Sequence, residues 1–192
     1  MPQANKHVTM QWVGDISPSG QFCCPAYHLD LANRMAGLAR RAGSCDLRIG
    51  NFESPLWGDG RVNTARKTRI CTTKEAAKSI LPLSLDIVFL GNNHVYDCCE
   101  KGFENTSVFL KDNGIAFLGA GTTMEMAKKP LVVERHGLKL GFLNYVHRNT
   151  HPSIPNGAGV FVNYFSEQEA LSTIERLSQK VDVLSVYLHW GA

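Results

Sequence analysis

The sequence has no apolar run long enough to cross a bilayer, and residues 1–8 are polar with no apolar signal core. Taken alone, these absences place the chain in the cytoplasm. The alternative is an extracytoplasmic, membrane-associated protein whose anchor is missing. An excess of one charge is also lacking. There are 20 Lys and Arg against 17 Asp and Glu, a formal net charge of +3. That is too little to argue for nucleic acid as a partner. No Gly-x-Gly-x-x-Gly or Walker loop is present, because Gly119-Ala120-Gly121 lacks a third glycine and a downstream acid. No Gly-x-Ser-x-Gly elbow occurs either. Nucleotide-cofactor and serine-hydrolase chemistries therefore lose ground. No Cys-x-x-Cys exists to hold a structural zinc. The six cysteines, Cys23, Cys24, Cys45, Cys71, Cys98 and Cys99, include two adjacent pairs and are expected to be reduced thiols. Cys98 is also spaced four residues from His94, within reach of a sulfur-ligand role, although a buried inert thiol is the commoner outcome.

What is present is ordered. With 192 residues and 44% hydrophobic content, the chain can bury one ordinary core. Four apolar runs each end in a polar cluster. Residues 9–14 lead to Asp15, 47–50 to Asn51-Phe52-Glu53, 87–91 to Asn92-Asn93-His94 with Asp97 behind, and 183–188 to His189-Trp190-Gly191. As parallel strands, these runs would converge on one edge of one sheet, the place where open α/β sheets bind ligands. Between them the pattern predicts helices over 29–42, over a short stretch capped by Thr72 with Glu75 in a capping box, over 101–112, and after Ser166 with Glu169. A short strand is expected at 69–71, another at 116–118, and a hairpin from 131–134 and 139–143. Residues 54–68 and 145–165 read as long loops. Strands alternating with helices give an α/β class with a substantially parallel core.

Each cluster has a chemistry. Asp15 offers a carboxylate to a hard or borderline cation. Glu53, two residues past Asn51, shares its face in extended chain. An Asn amide oxygen adds a metal ligand without adding charge. His94 beside it is placed to protonate a leaving group, with Asp97 to orient the ring. His189 suits a neutral imidazole ligand.

The ordered set of Gly14-Asp15, Asn51-Phe52-Glu53-Ser54, Gly91-Asn92-Asn93-His94-Val95-Tyr96-Asp97, Gly119-Ala120-Gly121 and His189-Trp190-Gly191 resembles the bacterial capsule-synthesis family associated with poly-γ-glutamate, the CapA-type family, which is related to the calcineurin-like metallophosphoesterases. The resemblance runs over residues 9–192. It implies a metallophosphoesterase-like α/β/β/α sandwich with mixed sheets and a site for divalent metal ions, two in the full-length family, of manganese, iron or zinc. Carried over, Asp15, Glu53, Asn93 and His189 resemble metal ligands. His94, with Asp97, resembles the catalytic acid or transition-state stabiliser. Asn51, Asn92, Arg69 and Arg148 are expected to contact the substrate, an anionic polymer or phosphate ester; a phosphoesterase reading adds Arg66 and Lys67. Two departures stand out. Ser17 occupies the third position of the family's Asp-x-His motif, which would weaken one metal. The family also continues past His-Trp-Gly to a further His motif, whereas this chain stops at Ala192 and reads as C-terminally truncated, with an uncovered sheet edge and poor activity. The expected function is a metal-dependent hydrolase-like protein of capsule polymer synthesis. The alternatives are a non-enzymatic assembly protein and a general phosphoesterase.

Overall fold

Alternating apolar side chains build the centre of the molecule. The computed structural model describes residues 6–150, 154–155 and 157–191. Residues 1–5 of the polar N-terminal segment, and 151–153 and 156 of the expected loop 145–165, lie outside the described residues. Strands β1 (Met10–Ile16), β2 (Leu47–Phe52), β3 (Ile87–Phe89) and β4 (Ala116–Leu118) form a parallel sheet in that order. β2 and β3 are buried along their whole length, as a parallel sheet covered on both faces requires. Successive side chains point to opposite faces. Phe52, Val88 and Leu90 pack against a helical layer that includes Phe103, Phe109 and Leu110 of α3 (Cys99–Asp112). Helices α1 (His28–Ala42) and α2 (Lys74–Lys78) complete that layer, with Met35 and Ala77 in the same cluster. Leu47, Ile49, Ile87 and Phe89 point the other way, onto Leu140 and Phe142.

Those two residues belong to β7 (Leu138–Val146), the middle strand of a second sheet. β6 (Leu131–Arg135) pairs with it antiparallel, as the expected hairpin, and β9 (Val183–His189) pairs with it parallel. On the far face, Leu143 and Tyr145 pack on Ala170 and Leu177 of α5 (Glu167–Ser178). Two short strands, β5 (Ala120–Gly121) and β8 (Phe161–Val162), form a separate antiparallel pair beside α4 (Met124–Lys128). The result is a helix, sheet, sheet, helix sandwich, the architecture that the family resemblance implies.

Four details differ from expectation. The polar clusters do not share one sheet: Asp15, Glu53 and His94 follow strands of the first sheet, and His189 ends a strand of the second. Apolar runs alone do not say which sheet a strand joins. Residues 69–71 form no strand, because only Thr72 bridges, to Leu56. α2 is capped by Thr73, whose hydroxyl accepts from the Ala76 amide at 3.1 Å, while the Thr72 hydroxyl turns to the Pro18 carbonyl. The thiols are not all reduced: the loop folds back so that Cys71 meets Cys98, Cα atoms 6.3 Å apart, in a disulfide. Cys98 is therefore no metal ligand. Cys23, Cys24, Cys45 and Cys99 remain free.

β9 has a single neighbour among the described residues, and Val183, Val186 and Trp190 near it are exposed. No helix among the described residues is long and apolar enough to cross a membrane.

Candidate metal centre

The site lies between the C-terminal ends of the two sheets. Asp15 reaches it through a bulge. Trp12 pairs with Ile49, but the next pair is Asp15 with Asn51, so β1 carries one residue more than β2. Gly14, at φ +40, supplies the conformation this needs. The bulge absorbs the extra residue, so Asp15, three residues on, keeps the facing of Trp12, toward the second sheet. Glu53 follows β2, and its amide donates to the Ile16 carbonyl at 3.0 Å. His189 is placed by the β7–β9 register, opposite Val146. Asp15, Glu53 and His189 each present a ligand atom within 4.8 Å of the others.

The surroundings favour a cation. Burial, and then the neighbouring Asp15 charge, push the Glu53 carboxyl above its ordinary value. Burial pushes the His189 imidazole down, toward the neutral form that binds metals. Its Nε2 lies 3.3 Å from Glu53 Oε1. Asn93 Oδ1 is buried without a hydrogen-bond partner among the described residues, an acceptor with its lone pairs open. Two crowded carboxylates, a neutral imidazole and an orphaned amide oxygen fit a divalent metal.

The other expected residues take distinct places. Asn51 Nδ2 donates to Asp15 Oδ1 at 2.8 Å and lies 3.4 Å from His189 Nδ1, so it orients two ligands. Asn92 Nδ2 donates to Asn51 Oδ1 and to the Phe52 carbonyl, and its Oδ1 accepts from the His94 amide. His94 Nδ1 lies 2.7 Å from Asp97 Oδ2, which also accepts from the Ile70 amide at 2.8 Å. Arg66 Nη2 lies 3.4 Å from His94 Nε2, and Nη1 donates to the Asn93 carbonyl. Arg69 is drawn instead to the Asn63 and Arg66 carbonyls, and Arg148 stacks over the Tyr164 ring at 4.3 Å. Ser17 hydrogen-bonds to the Ser54 hydroxyl at 2.6 Å.

Two residues were not singled out by sequence reading. Tyr187 donates to Asp15 Oδ1 at 3.3 Å and stacks on Phe89 with ring centroids 4.5 Å apart. Burial, with Asp15 nearby, holds its phenol well above the usual range. Its two-residue spacing from His189 put it on the same face. Asn144 of β7 accepts from the Gly91 amide at 2.8 Å and donates to the Gly91 carbonyl at 3.2 Å, tying the second sheet to the loop before Asn92. A lone amide inside the apolar run 140–146 was its signal.

The bacterial capsule synthesis protein family, PGA_cap, has a family model that matches residues 9–192. The chain belongs to that family. It is 25% identical over 158 residues to the PGA biosynthesis protein CapA of Bacillus subtilis (strain 168), covering 76% of this chain and 39% of that protein. It is 21% identical over 196 residues to the capsule biosynthesis protein CapA of Bacillus anthracis, covering 97% and 47%. The chain thus spans less than half the length of these curated relatives. Among solved structures, a 5'-nucleotidase precursor from Thermus thermophilus superposes with a TM-score of 0.54 at 16% identity, over 96% of this chain and 37% of that one. At that identity the likeness establishes the metallophosphoesterase-like fold alone.

Proposed function

We propose that this domain is a metal-dependent hydrolase-like component of poly-γ-glutamate or related capsule polymer synthesis. The convergence of Asp15, Glu53 and His189 within 4.8 Å, from two different sheets, carries the reading. With Asn93 these residues would hold the cation. A bound divalent ion supplies Lewis-acid charge at a phosphoryl or acyl oxygen. Around it, Asn51 orients Asp15 and His189, and Asp97 holds the His94 ring through Nδ1. His94 Nε2 then handles the proton of the leaving group. Because Ser17 is engaged with Ser54, the residues favour one strong cation site rather than two equal ones. Manganese, iron and zinc all suit this donor set. The Cys71–Cys98 bridge supports an oxidising, extracytoplasmic setting for the working domain.

Elemental analysis after loading with each metal, together with hydrolysis of bis(p-nitrophenyl) phosphate, tests the proposal. Asn93→Ala is expected to lower metal content. His94→Ala is expected to keep the metal and lose roughly 10²–10⁴-fold in turnover, the range for a lost general acid. A wild-type protein that retains no divalent metal would sink the reading.

A further inference from the structure

We propose that Arg66 is an anion-binding residue of this site, gripping an oxyanion of the substrate, phosphoryl or carboxylate, beside the metal ligands. The inference rests on reading the site as a metal centre, and deepens it by naming what faces the cation. Four observations carry it. Arg66 is half-buried, and no carboxylate among the described residues lies within ion-pair distance of its guanidinium. The Glu53 carboxylate acts on it only from beyond contact distance, and a half-sheltered guanidinium with no carboxylate in contact gains from an incoming anion. Its position is that of a site residue, since it touches both Asn93 and His94. Its planar fork also has donors to spare beyond those two contacts, in the geometry that matches phosphate and carboxylate oxygens.

The loop that delivers Arg66 is built to hold still. The Asn63 amide donates to the Asp97 carbonyl at 3.0 Å, and the Ala65 amide to Asn63 Oδ1 at 3.0 Å. Arg69 Nη1 grips the Arg66 carbonyl at 2.6 Å. The Ile70 amide reaches Asp97 Oδ2, and the Cys71–Cys98 bridge closes the far end. Asp97 thus positions His94 through its carboxylate and Arg66 through its neighbours. A cavity of about 640 Å³ lined by Thr64, Ala65, Cys99 and Glu100 opens on the same loop, but neither Arg66 nor the proposed metal ligands line it.

The contact with His94 gives Arg66 a second consequence. A guanidinium only donates, so Nε2 is the acceptor and the ring proton sits on Nδ1, facing Asp97. When Arg66 turns to a substrate oxyanion, Nε2 is released to take up a proton, which it then passes to the leaving group.

Calorimetric titration of the manganese-loaded chain with inorganic phosphate and, separately, with glutarate tests the proposal and tells the two oxyanion classes apart. Arg66→Gln should weaken at least one of them tenfold or more, with manganese affinity held within twofold, and Arg66→Lys should recover part of the loss. Affinities within twofold of wild type for both anions would overturn the proposal. Loss of manganese binding in Arg66→Gln would overturn it too, since Arg66 would then merely prop Asn93. If wild-type protein takes up no manganese, the metal reading fails by itself. The same comparison on the metal-free chain then still decides Arg66.

Discussion

Gly119 sits at φ +92, and a Cβ there would lie 1.8 Å from Asn144 Oδ1. Gly119→Ala should therefore cost about 2–4 kcal/mol, combining left-handed backbone strain with loss of the buried Asn144 hydrogen bonds. Urea unfolding read at unchanged slope would measure it. Asp46 offers a test by pH. The Thr9 amide, then the His136 side chain and the Thr9 hydroxyl, hold its carboxyl well below the usual carboxylate range. The native state therefore keeps Asp46 ionised where the unfolded chain takes up a proton. Its contribution is complete above the ordinary value of 3.8 and is lost as pH falls toward the native one. Asp46→Asn should flatten the stability curve below about pH 4, as followed by acid melts. Asp15, Glu53, His94 and His189 were legible in sequence because each ends an apolar run. Asn144 showed only as a lone amide in an apolar run, and its role was hidden because Gly91, to which it hydrogen-bonds, and Gly119, whose missing side chain makes room for it, are brought to it only by the fold.

The segment between β2 and α2 holds little regular structure, yet it is pinned at both ends of its path. Cys71–Cys98 closes a loop of 27 residues in sequence. Removing it by Cys71→Ser with Cys98→Ser should lower stability by about 3–4 kcal/mol on the chain-entropy estimate. A matched drop in melting temperature on adding reductant to the wild type would show the same bond at work. The strands and helices themselves were largely readable. Periodicity located α1, α3 and the β6–β7 hairpin within a few residues. The register of this loop was not readable, because on paper Glu75 completes a capping box with Thr72. The choice falls to Thr73 because Thr72 is engaged with Pro18 and bridges to Leu56. The cysteine pairing was hidden as well: adjacent thiols look alike until burial separates Cys98 from Cys99.

Because the first sheet supplies Asp15 and Glu53 and the second supplies His189, a bound cation would join them across their shared apolar layer. Metal should then stabilise the whole fold, by about 2.7 kcal/mol at a hundredfold excess over its dissociation constant. Manganese should raise the melting temperature of the wild type and leave His189→Ala unmoved; an equal rise in both would place the ion elsewhere. The sequence could list the ligands but not the gap between sheets in which they meet, since membership of a sheet is decided by partners and not by a strand's own residues. The bulge at Gly14 sharpens this. It makes the site depend on counting: Asp15 lies three residues after Trp12, so a β1 of the same length paired regularly, without the bulge, would keep its core largely intact but turn Asp15 to the helix side. Gly14→Val, which disfavours the backbone conformation of the bulge, should leave a folded chain of the same architecture whose metal content, read by elemental analysis, is lowered. In this domain the capacity to be a metalloprotein is thus written in the parity of a strand as much as in the identity of its ligands.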